Sequence, residues 1–105
     1  MNIKKHVSPL QTWYRAYAST FKYGSRDLFE NTVLKEEHTY RVCREINSIG
    51  ESLELSEEQL ALAKVTALFH DVGRFEQYAR YGTFRDQVSD NHAELGLRIL
   101  ERYGV

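Results

Sequence analysis

Residues 56–73 read SEEQLALAKVTALFHDVG, and this stretch decides the fold. Ser56 and Gln59 form a capping box, the usual signal for the start of a helix. The apolar run that follows is built of small residues on several sides, so neighbouring helices can approach it closely, and we predict that it is the central helix. It ends in His70-Asp71-Val72-Gly73, which places two ionisable side chains at the end of the helix predicted to be most buried.

Helices are predicted before this stretch as well. Ser8 can cap a first helix, Pro9 suits its first position and Gly24 can end it. A second helical region runs from about Arg26 to Leu53, with a break expected near residues 31–32. Its apolar stripe repeats at steps of three and four, and we predict that the stripe faces inward. The stripe consists of Leu34, His38, Val42, Ile46, Ile49 and Leu53.

The pattern weakens after Gly73, which predicts a short helix and then a loop up to Val88. A last helix is expected to start near residues 89–91, where Asn91 and Glu94 form a second capping box, and to run to Tyr103. No stretch alternates apolar and polar residues as a half-buried strand does. We therefore expect an all-α bundle of about five helices in one domain, residues 1–105.

Composition limits the classes of protein. The chain has 105 residues, a net charge of −1 and one cysteine, Cys43. A charge near zero gives no bulk attraction for nucleic acid, and a single thiol cannot form an internal disulfide. Cys43 has no basic partner in a motif, which argues against a cysteine nucleophile. We find neither a secretory signal nor a run of ~18 apolar residues that would cross a membrane, and we expect a cytoplasmic protein.

Four side chains suggest a metal site: His38, His70, Asp71 and His92. Imidazole binds first-row divalent metals, and a carboxylate adds negative charge. Neighbours on a helix diverge by about 100°, so His70 and Asp71 can reach one ion only from a helix end. Each residue also has a plainer interpretation, as a core histidine, a helix-terminal histidine or a surface group, and the combination is what favours a metal site.

Residues 35–42, KEEHTYRV, and residues 67–76, ALFHDVGRFE, resemble the HD superfamily of metal-dependent phosphohydrolases. The resemblance implies a helical bundle in which His38, His70 and Asp71 hold a divalent ion such as Mn, Fe, Mg, Ni or Zn. It also implies that Asp71 orients a water and that Arg74 binds a substrate phosphate, although Arg74 could equally be an exposed surface arginine. His92, in HAELG, is similar to a ligand for a second ion, so one or two ions are expected.

The resemblance fails at one point. The family pattern ends with an Asp on a later helix, and no Asp follows His92. We therefore expect a chain that is incomplete at its C-terminus relative to the family. It could be a fragment, a short relative whose homodimer covers the open face, or a degenerate module.

Three functions remain open. The leading hypothesis is a phosphohydrolase, a phosphomonoesterase or phosphodiesterase acting on a small phosphorylated compound, for which the family suggests a nucleotide. The alternative is a non-catalytic HD module that binds metal, nucleotide or a partner protein. A third is a helical interaction domain whose histidines are core residues. We lean towards an enzyme, inactive if the missing Asp is essential.

Overall fold

A computed structural model describes residues 3–104, and these form an all-α fold without strands. A 3-10 turn, Ile3–His6, runs directly into the first of five α-helices. The helices are α1 (Val7–Ser19), α2 (Arg26–Ser52), α3 (Glu57–Phe69), α4 (Gly73–Tyr81) and α5 (His92–Arg102), and a second 3-10 turn, Asp86–Val88, precedes α5. The predicted fold class is therefore confirmed.

Aromatic side chains of α1 organise the core. Tyr14 and Tyr17 pack against Phe75 of α4, with ring centroids 5.8 and 6.3 Å apart. Leu68 from the end of α3 and Ile99 from α5 complete the buried cluster. The core therefore lies where α1, α4 and α5 meet the C-terminal end of α3, directly beneath His70 and Asp71.

The boundaries of α1 differ from the prediction. Ser8 lies inside the helix, and His6 occupies the N-cap without a side-chain hydrogen bond. The helix ends at Ser19 rather than near Gly24. The chain there tightens into turns, in which the amides of residues 20–22 bond to carbonyls three residues earlier.

The α2 helix corrects two further predictions. It is continuous through residues 31–32, where the Asn31 side-chain amide donates to the Asp27 carbonyl oxygen one turn earlier. The stripe predicted to face inward is wrong for half of its residues, since Leu34, Ile49 and Leu53 are exposed and the other three are half-buried. The buried positions on this helix lie on another face and are Thr32, Glu36, Thr39 and Gly50.

Apolar periodicity did not predict the inward face of α2, because several buried residues on that face are polar. A polar residue can be buried when it has hydrogen-bond partners. Glu36 accepts hydrogen bonds from Lys22 Nζ at 2.6 Å and from the Tyr40 hydroxyl at 2.7 Å. These bonds satisfy a carboxylate that apolar periodicity alone would place outside. The exposed apolar stripe remains uncovered in the described residues, and whether a second copy covers it stays a prediction.

The capping box predicted for α3 is confirmed, since Ser56 and Gln59 form it reciprocally. At the start of α5 the Asn91 side chain accepts from the amides of Ala93 and Glu94, which confirms the N-cap, but in the described residues the Glu94 side chain does not return the bond that a capping box requires. α3 packs against α1 and α2, although Leu62 stays exposed, so the helix is less enclosed than a central helix would be. Among residues 3–104, no helix is both long and apolar enough to cross a membrane.

Candidate metal centre

The four predicted ligands come from three places in the fold. His38 lies in the middle of α2, His70 and Asp71 lie in the turn between α3 and α4, and His92 is the first residue of α5. The turn is held by hydrogen bonds from the Val72 amide to the Phe69 carbonyl and from the Arg74 amide to the Asp71 carbonyl. Because α3 ends at Phe69, the adjacent side chains of His70 and Asp71 can converge on one point.

The Asp71 carboxylate is the centre of the cluster. Its Oδ2 atom lies 3.4 Å from His70 Nε2 and 3.9 Å from His38 Nε2. One ligand atom from each of these three residues falls within 4.8 Å of the others. The Asp71 side chain is 12% exposed, whereas those of His70 and His38 are 35% and 37% exposed. The carboxylate is thus shielded while the approach past the two rings stays open.

The other oxygen of Asp71 faces His92. Its Oδ1 atom lies 3.3 Å from His92 Nε2, and the His92 side chain is largely buried. The structure therefore brings all four predicted ligands together, with two histidines at one oxygen of Asp71 and one at the other. Assignment of these residues as ligands stays a prediction.

Hydrogen bonds at Nδ1 orient two rings. His70 Nδ1 faces the Ala67 carbonyl oxygen, and His92 Nδ1 lies 3.1 and 3.2 Å from the two oxygens of Asp86. Since both partners are acceptors, Nδ1 is assigned as the donor in each ring, and the neutral form of the ring then has a lone pair on Nε2. Each Nε2 atom lies beside an oxygen of Asp71, and nitrogen and carboxylate donors placed together in this way suit a divalent cation.

His38 differs in this respect. Arg41 Nη2 lies 3.0 Å from His38 Nδ1, and a guanidinium can only donate. In the neutral ring Nδ1 is then the acceptor, and the proton sits on Nε2, on the side of Asp71. His38 would have to exchange tautomers, and Arg41 would have to move, before Nε2 could bind a metal.

Close backbone contact between α4 and α5 sets the position of His92. A Cβ atom added to Gly73 would lie 1.9 Å from the His92 carbonyl oxygen and 2.7 Å from the Gly96 amide nitrogen. Only a residue without a side chain fits there. The glycine two residues after Asp71 therefore lets the start of α5 come close to His70 and Asp71.

Arg74 lies beside the same carboxylate. Its Nε atom is 3.7 Å from Asp71 Oδ1, and its Nη1 atom donates to the Phe84 carbonyl oxygen at 2.8 Å and to Gln77 Oε1 at 3.0 Å. The side chain is only 17% exposed, so the alternative of an exposed surface arginine is wrong. Its predicted contact with a substrate phosphate stays a prediction.

Two residues of the site were missed by the sequence reasoning. Asp86 was set aside because its position does not match the family pattern, yet its Oδ1 accepts the His92 backbone amide at 3.0 Å. That bond is the main reason that the pKa of the Asp86 carboxyl is lowered, with side-chain bonds from His92 and Gln77 adding to it. Gln77 gave no signal, since a lone glutamine in a short helix is usually a surface residue.

Comparison with known families agrees with this geometry. The family model described as HD domain matches residues 36–105. The chain belongs to the HD domain family. No curated protein and no solved structure matches it significantly. HD domains generally bind divalent metals, and His38, His70 and Asp71 form a candidate site for one in this chain.

Proposed function

We propose that this HD domain is a metal-dependent phosphohydrolase acting on a small phosphorylated compound, with nucleotides as the first class to test. The observation that carries the proposal is the convergence of three imidazole Nε2 atoms on the two oxygens of Asp71. Family membership supports the reaction class, and the donor set of nitrogen and oxygen atoms suits Mn, Fe, Ni or Zn, with Mg as the harder alternative.

The donor set supports two ions better than one. Asp71 presents Oδ2 to His38 and His70 and Oδ1 to His92, so its carboxylate lies between two histidine donors on one side and one on the other. A bound divalent ion supplies positive charge that lowers the pKa of water and offsets charge on a phosphoryl oxygen. The chain itself contributes the positions of these donors, which its hydrogen bonds to Ala67 and Asp86 hold fixed.

Arg74 supplies the remaining positive charge at the site. Its guanidinium is held by the Phe84 carbonyl and by Gln77, so it stays beside Asp71 with little loss of side-chain freedom on binding. A fixed guanidinium is well suited to binding a phosphate oxygen. In this proposal Arg74 orients the phosphate, and Asp71 accepts a hydrogen bond from the attacking water.

A non-catalytic HD module is the second candidate. It is favoured by the bond from Arg41 Nη2 to His38 Nδ1, which leaves the proton of the neutral His38 ring on Nε2, the atom that would bind metal. Such a module would bind metal or nucleotide through the same residues without turnover.

Metal analysis and turnover together test the proposal. The wild-type protein is stripped, reloaded with Mn²⁺, desalted and analysed, and then incubated with nucleoside mono-, di- and triphosphates, cyclic nucleotides and p-nitrophenyl phosphate. His70→Ala/Asp71→Ala is the test variant, and His6→Ala, at an exposed position before α1, is the matched control. Phosphate release that needs metal and is lost only in the test variant supports the enzyme. Metal retention without turnover supports the module, and no metal retention by wild type contradicts both the enzyme and a module that binds metal.

A further inference from the structure

Gln77 is a fully buried amide next to the candidate metal centre. It is 0% exposed, and it lies in α4 among residues that are otherwise apolar or glycine on the buried face. A buried amide without hydrogen-bond partners would destabilise the fold. Its hydrogen bonds therefore have to be accounted for.

Each polar atom of Gln77 has a partner. Nε2 donates to Asp86 Oδ1 at 2.8 Å and to Ser89 Oγ at 2.9 Å, and Oε1 accepts from Arg74 Nη1 at 3.0 Å. Two of these partners, Asp86 and Ser89, belong to the loop that connects α4 to α5. Gln77 thus ties that loop to α4 from inside the protein.

Asp86 passes this constraint on to His92. Its Oδ1 atom accepts hydrogen bonds from the Gln77 side-chain amide and from the His92 backbone N–H. Its carboxylate also accepts a hydrogen bond from His92 Nδ1–H. The ring of His92 is consequently held with Nε2 towards Asp71, 3.3 Å from Oδ1.

We propose that Gln77 and Asp86 are positioning residues that hold Nδ1 of His92 in a hydrogen bond and so set the orientation of its ring for metal binding. Gln77 acts through Asp86, and neither residue need touch substrate. The inference rests on the proposed function in one respect, because it treats His92 as a metal ligand. Its structural part, the control of the His92 ring, can be tested without metal.

The first test is NMR of the ring nitrogens of the metal-free protein labelled with ¹⁵N-histidine. In wild type, we expect the Nδ1 proton of His92 to exchange slowly, because it is held in a hydrogen bond to Asp86. Gln77→Met has nearly the same volume but lacks both donors, and it should give faster exchange of the Nδ1 proton. Gln87→Met, at an exposed position of the same loop, is the matched control and should keep the wild-type signals.

Asp86→Asn keeps the proposal testable if Gln77→Met does not fold. It lies at a partly exposed position and replaces the acceptor for His92 Nδ1 with a group that can also donate. Its His92 Nδ1 proton should exchange faster than in wild type. Wild-type ring signals in a folded Gln77→Met or Asp86→Asn protein would overturn the proposal, as would equal disturbance by Gln87→Met.

Mn²⁺ titration is the second readout. His92→Ala identifies the Mn²⁺-binding step that depends on His92, because that step is lost in this variant. In Gln77→Met the affinity of the same step should fall by about tenfold or more, while the other step keeps its wild-type affinity. If the affinity of that His92-dependent step is unchanged in Gln77→Met, the proposed role of Gln77 is wrong. If wild type binds no Mn²⁺, the proposed function fails, and the ring signals still decide whether Gln77 positions His92.

Discussion

The Nε2 atom of His92 lies 3.3 Å from Oδ1 of Asp71, on the opposite oxygen from the one that faces His38 and His70. Asp71 should therefore contribute to every metal-binding step, and His92 to only one. We expect Asp71→Ala to abolish metal retention and His92→Ala to remove part of it. The measurement is metal per protein after reloading with Mn²⁺ and desalting. Equal losses in the two variants would contradict the division of the site between the two oxygens.

Arg41 should oppose metal binding. It donates to His38 Nδ1, which favours the tautomer whose Nε2 carries a proton, and it adds a positive charge near the site. We expect Arg41→Ala to tighten metal binding by about fivefold, an effect of order 1 kcal/mol for a unit charge at this range. Equilibrium titration with Mn²⁺ checks the prediction. Arg44→Ala, at an exposed arginine one turn further along α2, is the matched control. Weaker metal binding by Arg41→Ala than by wild type would contradict the prediction.

Gly73→Ala should disturb both stability and the site. The new Cβ would meet the His92 carbonyl oxygen, so α5 has to move away from α4. We expect a loss of about 3 kcal/mol in the free energy of unfolding together with weaker His92-dependent metal binding. Gly82→Ala is the control, since nothing lies within 4 Å of its Cβ and only its positive φ is strained, at a cost of about 1 kcal/mol. Equal stability of the two variants by urea unfolding would refute the close-contact argument.

Lys22 and Glu36 form a partly buried ion pair, and their contributions to the free energy of unfolding should be strongly coupled. Lys22→Met leaves the Glu36 carboxylate buried with only the Tyr40 hydroxyl as a hydrogen-bond donor. We expect a loss of about 2 kcal/mol, reduced from the value for a fully buried pair because Lys22 is partly exposed. The double variant Lys22→Met/Glu36→Gln should recover much of that loss. A double-mutant cycle by chemical denaturation measures this, and additive effects would show that the pair is not coupled.

Stability should fall at high pH. Burial raises the pKa of Tyr17 well above its ordinary value of 10.0, and burial with a hydrogen bond to Glu36 raises that of Tyr40 to about 12. The unfolded chain therefore loses these protons first as the pH rises above 10, while the folded protein keeps them. The free energy of unfolding should decline from about pH 10 and, for Tyr40, level off beyond about pH 12.

The slope of that decline identifies the residues responsible. Denaturation between pH 8 and 11.5 should show a shallower decline for Tyr17→Phe than for wild type. Tyr23→Phe, at a position that is 89% exposed, is the matched control. An identical slope in Tyr17→Phe and wild type would contradict the assignment.

Local sequence signals determined much of this protein. Side-chain caps at Ser56 and Asn91 act within one helical turn, so both helix starts were predictable. The adjacency of His70 and Asp71 at a helix end likewise follows from covalent order. The four candidate ligands could be named from the sequence because residue type and the resemblance to a family both point to them.

Tertiary structure decided which faces are buried and how the ligands are held. The inward face of α2 carries Glu36, whose partner Lys22 is reached only when α2 packs beside the turn after α1, whereas Tyr40 lies one turn along the same helix. The roles of Gln77 and Asp86 depend on hydrogen bonds between α4 and the loop before α5, and no local propensity encodes them. From sequence alone, groups capable of binding metal could be identified, because that capacity belongs to the side chain. Their convergence on Asp71 required the folded chain, because His38, Asp71 and His92 are distant in sequence and meet only when α2, the turn after α3 and α5 pack together.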